Sequence, residues 1–126
     1  MHAWNGCLFG IVPSILPEAC ATVVLECMGM GKTLVATNIG GTPDLVEANV
    51  SAFLVPPNDA AALASALQKL IDDPVLRQRM ADAARTRIRS LQARTIVPRI
   101  EKIYAELLSE NAIRSQKPND VSALPP

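Results

Sequence analysis

Glu18 and Glu26 stand eight positions apart, bracketing the run PEACATVVLE. Upstream, residues 8–12 (LFGIV) form a short apolar run suited to a buried strand, which Pro13, Ser14 and Pro17 then interrupt. From Thr22 the pattern turns helical, with Val24, Leu25 and Met28 on one stripe, until Gly29 and Gly31 end it. Glu18 therefore belongs to the loop leaving a strand, and Glu26 to the helix that follows. In an open parallel sheet, ligands settle in the crevice beyond the carboxyl ends of the strands. A helix N-terminus placed there offers unpaired backbone N–H groups and partial positive charge to an anion. Carboxylates beside it make sense if they accept hydrogen bonds from hydroxyls while the backbone takes phosphates, as a nucleotide-sugar would require. The bland alternative is a loop acid and a solvated helix acid, because surface glutamate is common.

The elements that must position these residues follow from periodicity. Residues 33–37 (TLVAT) read as a second buried strand. Gly40-Gly41 makes a tight loop, and Thr42 with Pro43 opens a short helix running to Glu47. Ala52, Phe53, Leu54 and Val55 form a third strand, stopped by Pro56-Pro57. Asn58 or Asp59 caps a helix whose Leu63, Ala66, Leu67, Leu70 and Ile71 recur at helical spacing. A helix from Pro74 to about Ser90 is expected to bury Leu76, Met80, Ala83 and Ile88. A last one, from roughly Thr95, carries the stripe Ile96, Val97, Ile100, Ile103, Tyr104, Leu107 and Leu108. Three strands joined through helices run parallel, and so small a parallel sheet reads as part of a larger doubly wound one. Residues 1–110 form the folded part, and the polar, Pro-rich residues 111–126 are expected to be disordered.

The motifs PSxxPEAxxxVxLExMxxGK, VATNIGGTPDLV and FLVPPND occur in that order. In them the chain resembles the C-terminal, donor-binding half of group 1 (family 4) glycosyltransferases, over about residues 13–108. The resemblance implies an α/β fold: a partial Rossmann-like doubly wound parallel sheet, the second half of a GT-B C-terminal domain, followed by C-terminal helices. It implies transfer of a sugar from a nucleotide-sugar to an acceptor hydroxyl with retention, and no cofactor or obligatory metal. By resemblance, Glu18 lies beside the transferred sugar, and the backbone N–H groups of Ala19 and Cys20 face the same sugar. The Thr22 and Val23 amides face the diphosphate, and Glu26 grips the ribose. An acceptor domain or partner chain is implied as well, since members share the catalytic geometry between two domains. The match has departures. Cys7 and Leu8 stand near an Ala-Asp pair usual in the family, Thr33 replaces a common proline, and Asn49 and Ala52 fall where glycine is usual. The chain is accordingly expected to be a fragment, a split subunit or a truncated reading frame.

Other motifs carry less. Gly40-Gly41 is, by resemblance, a close approach to the donor or the domain cleft, or else an ordinary turn. The run GMGKT (29–33) fails as a phosphate loop, since Glu26 stands where the first glycine belongs and a helix C-terminus repels anions. Lys32 reads as a cation at that helix end. Seven arginines between positions 77 and 99 scatter around their helices and lack interleaved aromatics. They read as a solvated or domain-facing surface, with contact to anionic lipid as a minority reading.

Composition bounds the rest. The 126 residues are one domain's worth, 49% hydrophobic and 19% charged, with 3% aromatics, so Ala, Val, Leu and Ile must build the core. Zero formal net charge argues against a nucleic-acid binder. Cys7, Cys20 and Cys27 lack metal-ligand spacing and read as reduced thiols filling the core of a cytoplasmic protein, membrane-associated on the cytoplasmic face in the lipid-acceptor reading. The rival function is a noncatalytic binding or assembly module that pairs with another chain, or a second copy, through an exposed sheet edge and the apolar stripe of the last helix.

Overall fold

The computed structural model describes residues 2–115, with side chains over 4–109. Two compact units divide the chain at Gln92, the first running to that residue and the second starting at Ala93. The first unit holds α1 (His2–Asn5), β1 (Gly10–Val12), α2 (Thr22–Gly29), β2 (Leu34–Thr37), α3 (Thr42–Leu45), β3 (Ala52–Val55), α4 (Ala60–Asp72) and α5 (Pro74–Ser90). The second is built on α6 (Ala93–Ser115).

The sheet is parallel with order β1-β2-β3, pairing Gly10 with Leu34 and Leu34 with Ala52. The central strand is buried along its whole length, as a strand covered on both faces must be. Leu34, Ala36, Val12 and Ala52 meet Val24, Cys27 and Met28 of α2 on one face. Val35 and Val55 meet Ala66 and Leu70 of α4 on the other. The helix α5 serves both, with Met80 in the second cluster and Ala84 and the half-buried Ile88 against the first. This three-layer α/β arrangement is the expected fold class. At the β1 edge cover is incomplete: Ile11, whose neighbours Gly10 and Val12 are buried, is 50% exposed, and Leu8, Ile15 and Leu16 are exposed beside it.

Local chemistry sets the boundaries. Asp59 and Asp73 cap α4 and α5, each carboxylate accepting from a backbone N–H at 2.8 Å (Ala62 and Leu76), and Pro74 fills the first turn of α5. A side-chain cap of this kind contributes about 1 kcal/mol. Thr33, expected inside the second strand, lies just before it, and its fully buried hydroxyl donates to the Ser51 carbonyl at 2.9 Å. Asn49, at a usual glycine position, adopts φ 60, a left-handed conformation that asparagine tolerates better than most residues.

Several boundaries differ from the sequence reading. The first strand is shorter than 8–12 because only Gly10, Ile11 and Val12 find partners on β2. The short helix stops at Leu45, where Val46 turns extended. On α5 the fully buried alanines are Ala81 and Ala84, with Ala83 half-buried, since the helix faces two clusters and not one. Helix α6 continues through Ser115, so the disordered tail expected from residue 111 does not begin there, and residues 116–126 lie outside the described residues. The stripe on α6 is largely exposed at Val97, Ile100, Ile103, Tyr104, Leu107 and Leu108.

Candidate functional site

The loop between β1 and α2 carries Glu18, Ala19 and Cys20, all three exposed. Glu18 is held at both ends of its residue. Its carboxylate accepts from the Ser14 hydroxyl at 3.2 Å, and its backbone carbonyl accepts from Gly41 N–H at 2.8 Å. Ser14 is itself tied to the sheet, because the buried Thr37 hydroxyl at the end of β2 donates to the Ser14 carbonyl at 2.6 Å. Gly40 and Gly41 press against the same loop. A Cβ on Gly40, which has φ +58, would lie 2.4 Å from the Glu18 carbonyl oxygen, and one on Gly41 would lie 2.0 Å from that of Ala19. The Gly-Gly pair is a turn with positive φ at Gly40, and its backbone packs against the Glu18 loop.

Helix α2 begins just beyond. Its N-cap, Ala21, offers no side-chain hydrogen bond, so no side chain competes for the first amides of the helix, including those of Thr22 and Val23. Ala21, Val24, Cys27 and Met28 face the core, which leaves Thr22, Val23, Glu26 and Gly29 on the exposed side. Glu26 sits one turn along from Thr22, about 6 Å at 1.5 Å per residue. The helix ends in a Schellman motif. Lys32 N–H donates to the Cys27 carbonyl at 3.1 Å and Gly31 N–H to that of Met28 at 3.0 Å, with Gly31 at φ +66. Residues 29–33 thus form a helix C-terminus, the wrong pole for phosphate.

Among the described residues, neither of two hollows near α2 and the sheet edge is lined by both carboxylates. Glu26 lines a hollow of about 530 Å³ with Trp4, Gly29 and Met30, and Glu18 is not among its lining residues. A second hollow, of about 270 Å³, opens at the carboxyl edge of the sheet between Pro13, Ile15, Thr37, Val55 and Leu63, and neither glutamate lines it. What joins Glu18 and Glu26 is α2 itself, with one acid on the loop entering it and the other on its exposed side. Trp4 was given no role in the sequence reading. Its only signal there is being the single tryptophan of an aromatic-poor chain.

The thiols divide differently from expectation. Cys27 alone is core, fully buried and donating to the Thr33 carbonyl at 3.5 Å, and burial pushes its pKa up to about 11. Cys7 and Cys20 are exposed, because they fall in the loops after α1 and before α2. The arginines are more structural than a solvated surface implies. Arg77 donates to the Leu70 carbonyl, and Arg87 donates to the Asp44 and Leu45 carbonyls at 2.8 and 3.4 Å, each placing a cation at a helix C-terminus. The Arg85 guanidinium lies over Gly31, where an added Cβ would meet it. Among the described residues no cluster of His, Cys, Asp or Glu could hold a metal ion, and no helix is long and apolar enough to cross a membrane.

The chain is 42% identical over 74 residues to alpha-D-kanosaminyltransferase of Streptomyces kanamyceticus, a match covering 59% of this chain and 19% of that one. It is 39% identical over 80 residues to glycogen synthase of Mycobacterium tuberculosis, covering 61% and 19%. It therefore spans about a fifth of the length of these curated relatives. Sucrose-phosphate synthase from Thermosynechococcus elongatus superposes with a TM-score of 0.76 at 28% identity, covering 86% of this chain and 27% of that structure. Anabaena HepE, solved in complex with UDP, superposes with a TM-score of 0.71 at 30% identity, covering 86% and 29%. These structures share the GT-B type of α/β architecture. Residues 5–87 match the family described as glycosyl transferases group 1, and with well over half its length inside that match this chain belongs to that family.

Proposed function

We propose that this chain is the donor-binding half of a retaining glycosyltransferase and holds a nucleotide-sugar along α2. The diphosphate meets the Thr22 and Val23 amides, Glu18 and the Ala19 and Cys20 amides meet the sugar, and Glu26 accepts from the ribose hydroxyls. As the bond from the anomeric carbon to phosphate breaks, negative charge grows on the leaving diphosphate. Preorganised N–H groups at a helix N-terminus stabilise that charge without reorganising. The acceptor hydroxyl oxygen forms the new bond to the anomeric carbon on the same face of the sugar, and its proton passes to the departing diphosphate oxygen. Groups from an acceptor domain or partner chain complete the site, so the isolated chain binds donor weakly and turns over slowly. A cytoplasmic setting, with a lipid among the acceptors, fits a cytosolic nucleotide-sugar supply. The neighbour solved with UDP supports the ligand class.

The observation that carries this reading is the join between the anchored Glu18 loop and a helix whose N-terminus no side chain caps. Isothermal calorimetry with a panel of nucleotide-sugars and nucleoside diphosphates tests it. Binding is expected, and Glu26→Ala should weaken it about tenfold, since a hydrogen bond to a charged acceptor contributes about 1.5–3 kcal/mol and tenfold is about 1.4. Unchanged affinity in the variant, or no binding by the wild type, overturns the proposal.

The assembly-module alternative is favoured by a different observation, the exposed Leu8, Ile11, Ile15 and Leu16 at the β1 edge. Light scattering showing a stable oligomer with no donor affinity would replace the enzyme reading with this one.

A further inference from the structure

At the amino edge of the sheet, away from Glu18 and the start of α2, three cations gather around one turn. Lys32 lies between α2 and β2, and Arg77 lies near the start of α5. Both are half-buried, and both line a cavity of about 270 Å³ with Cys7, Leu8, Gly31 and Pro74. The third, Arg85, stands about two turns further along α5 and lays its guanidinium over Gly31. Among the described residues none of the three is paired with a carboxylate. The acids of α5 are engaged elsewhere. Asp73 caps the helix through Leu76 N–H, and Asp82 accepts from the Gln78 amide at 3.0 Å. Arg77 uses only Nη1, on the Leu70 and Ile71 carbonyls, so Nε and Nη2 of its five-donor fork remain available. Half-buried like charges repel one another and lose hydration, which disfavours holding them around one hollow without a counter-charge.

We infer that this cavity binds a phosphate monoester. The C-terminal end of α2 by itself repels an anion, with a strength of about half a unit charge. Here that end is already answered, because Gly31 N–H and Lys32 N–H donate to the Met28 and Cys27 carbonyls. Against what remains stand three full positive charges and the amino end of α5, so the net field favours a negative ligand. A guanidinium fork beside an ammonium matches the oxygens of a phosphate dianion. Leu8, 58% exposed on the same wall, gives apolar cover to the carbon part of an ester. The volume falls just below the usual range for drug-sized ligands, which suits a small ester and not a nucleotide. The site is independent of donor binding at the start of α2, which lies at the other end of that helix.

Cys7 lines the cavity and is exposed, so its alkylation reports on occupancy, and the exposed Cys20 of the Glu18 loop serves as comparison. The full chain is treated briefly with iodoacetamide in the presence of glycerol 3-phosphate, inorganic phosphate, or phosphatidylcholine vesicles carrying phosphatidic acid. Mass spectrometry then counts the adducts at each thiol. The expected result is saturable protection of Cys7 that chloride at matched ionic strength does not give. Lys32→Gln should raise the half-protecting concentration about tenfold, the scale of one charged hydrogen bond, and leave any effect on Cys20 unchanged. Arg85→Gln, which removes no hydrogen bond seen among the described residues, should act in the same direction. Circular dichroism checks the fold of both variants, and the wild-type readout needs neither. Protection by the soluble phosphates assigns the site to a free small molecule, and protection by the vesicles alone assigns it to a lipid headgroup of the same chemistry. No protection by any of the three, protection matched by chloride, or protection undiminished in both variants overturns the inference. Lys32 and Arg77 would then be helix-end cations only.

Discussion

Cys27 shows how much a residue's environment decides that its type does not. Its thiol is enclosed by β1, β2 and α2 and donates to Thr33, so burial favours the neutral form and raises the pKa from 9.0 to about 11. A group that binds its proton more tightly when folded stabilises the fold below its unfolded pKa and loses that contribution as pH climbs through the folded one. Urea midpoints should therefore hold steady up to about pH 9 and fall between pH 9 and 11, and Cys27→Ala should flatten that fall. Mass spectrometry after brief alkylation at pH 8 should find adducts on Cys7 and Cys20, with the third appearing only on unfolding. A third adduct on the native chain at the same rate would contradict the burial. Sequence alone grouped all three thiols as core because free cysteine is so often buried. Only the placement of Cys7 and Cys20 in loops separates them. The acids were easier to read, since a strand, a proline-broken loop and an amphipathic helix fix where Glu18 and Glu26 fall along the chain.

Among the elements, the turn after β2 does more than reverse direction. Gly41 donates to the Glu18 carbonyl and leaves no room for a side chain over Ala19, so this turn sets the height of the loop that carries Glu18. Gly41→Ala should cost about 1–3 kcal/mol in urea unfolding, the usual range for forcing a methyl into a filled space. It should also weaken the nucleotide-sugar more than the bare nucleoside diphosphate, because Glu18 faces the sugar in the proposed site. Equal loss for both ligands would detach the turn from that role. This contact was not legible beforehand, since it joins residues more than twenty positions apart across the sheet edge. Element identities from β1 onward were legible, down to a cap at Asn58 or Asp59 and the bounds of α5, because they rest on local pattern, whereas the short α1 was not expected. The arginines were not. Arg77 and Arg87 answer carbonyls at the ends of other helices, and Arg85 covers a glycine, all partners that spacing within one helix cannot show.

At the scale of the molecule, cover on the sheet is uneven. The α2 face is closed over β1 through Val12, whereas on the opposite face Ile11 stands open with Leu8, Ile15 and Leu16 around it. That apolar rim marks where cover on the sheet ends. The closed part of the sheet depends on α5, whose Met80 enters one hydrophobic cluster and whose Ala84 and Ile88 enter the other. In native-state hydrogen exchange, amides of β2 and the buried side of α2 should share one opening free energy with those of α4. A Met80→Ala variant should lower that common value by about 2–5 kcal/mol, the cost of emptying a buried methionine site. Separate values for the two faces would show that they melt independently. One helix wedged across both sides of the sheet acts as a rivet. The α2 surface proposed to meet the nucleotide then cannot soften by itself, and any weakening far behind it, at the opposite face, would be felt there as a looser grip on a ligand.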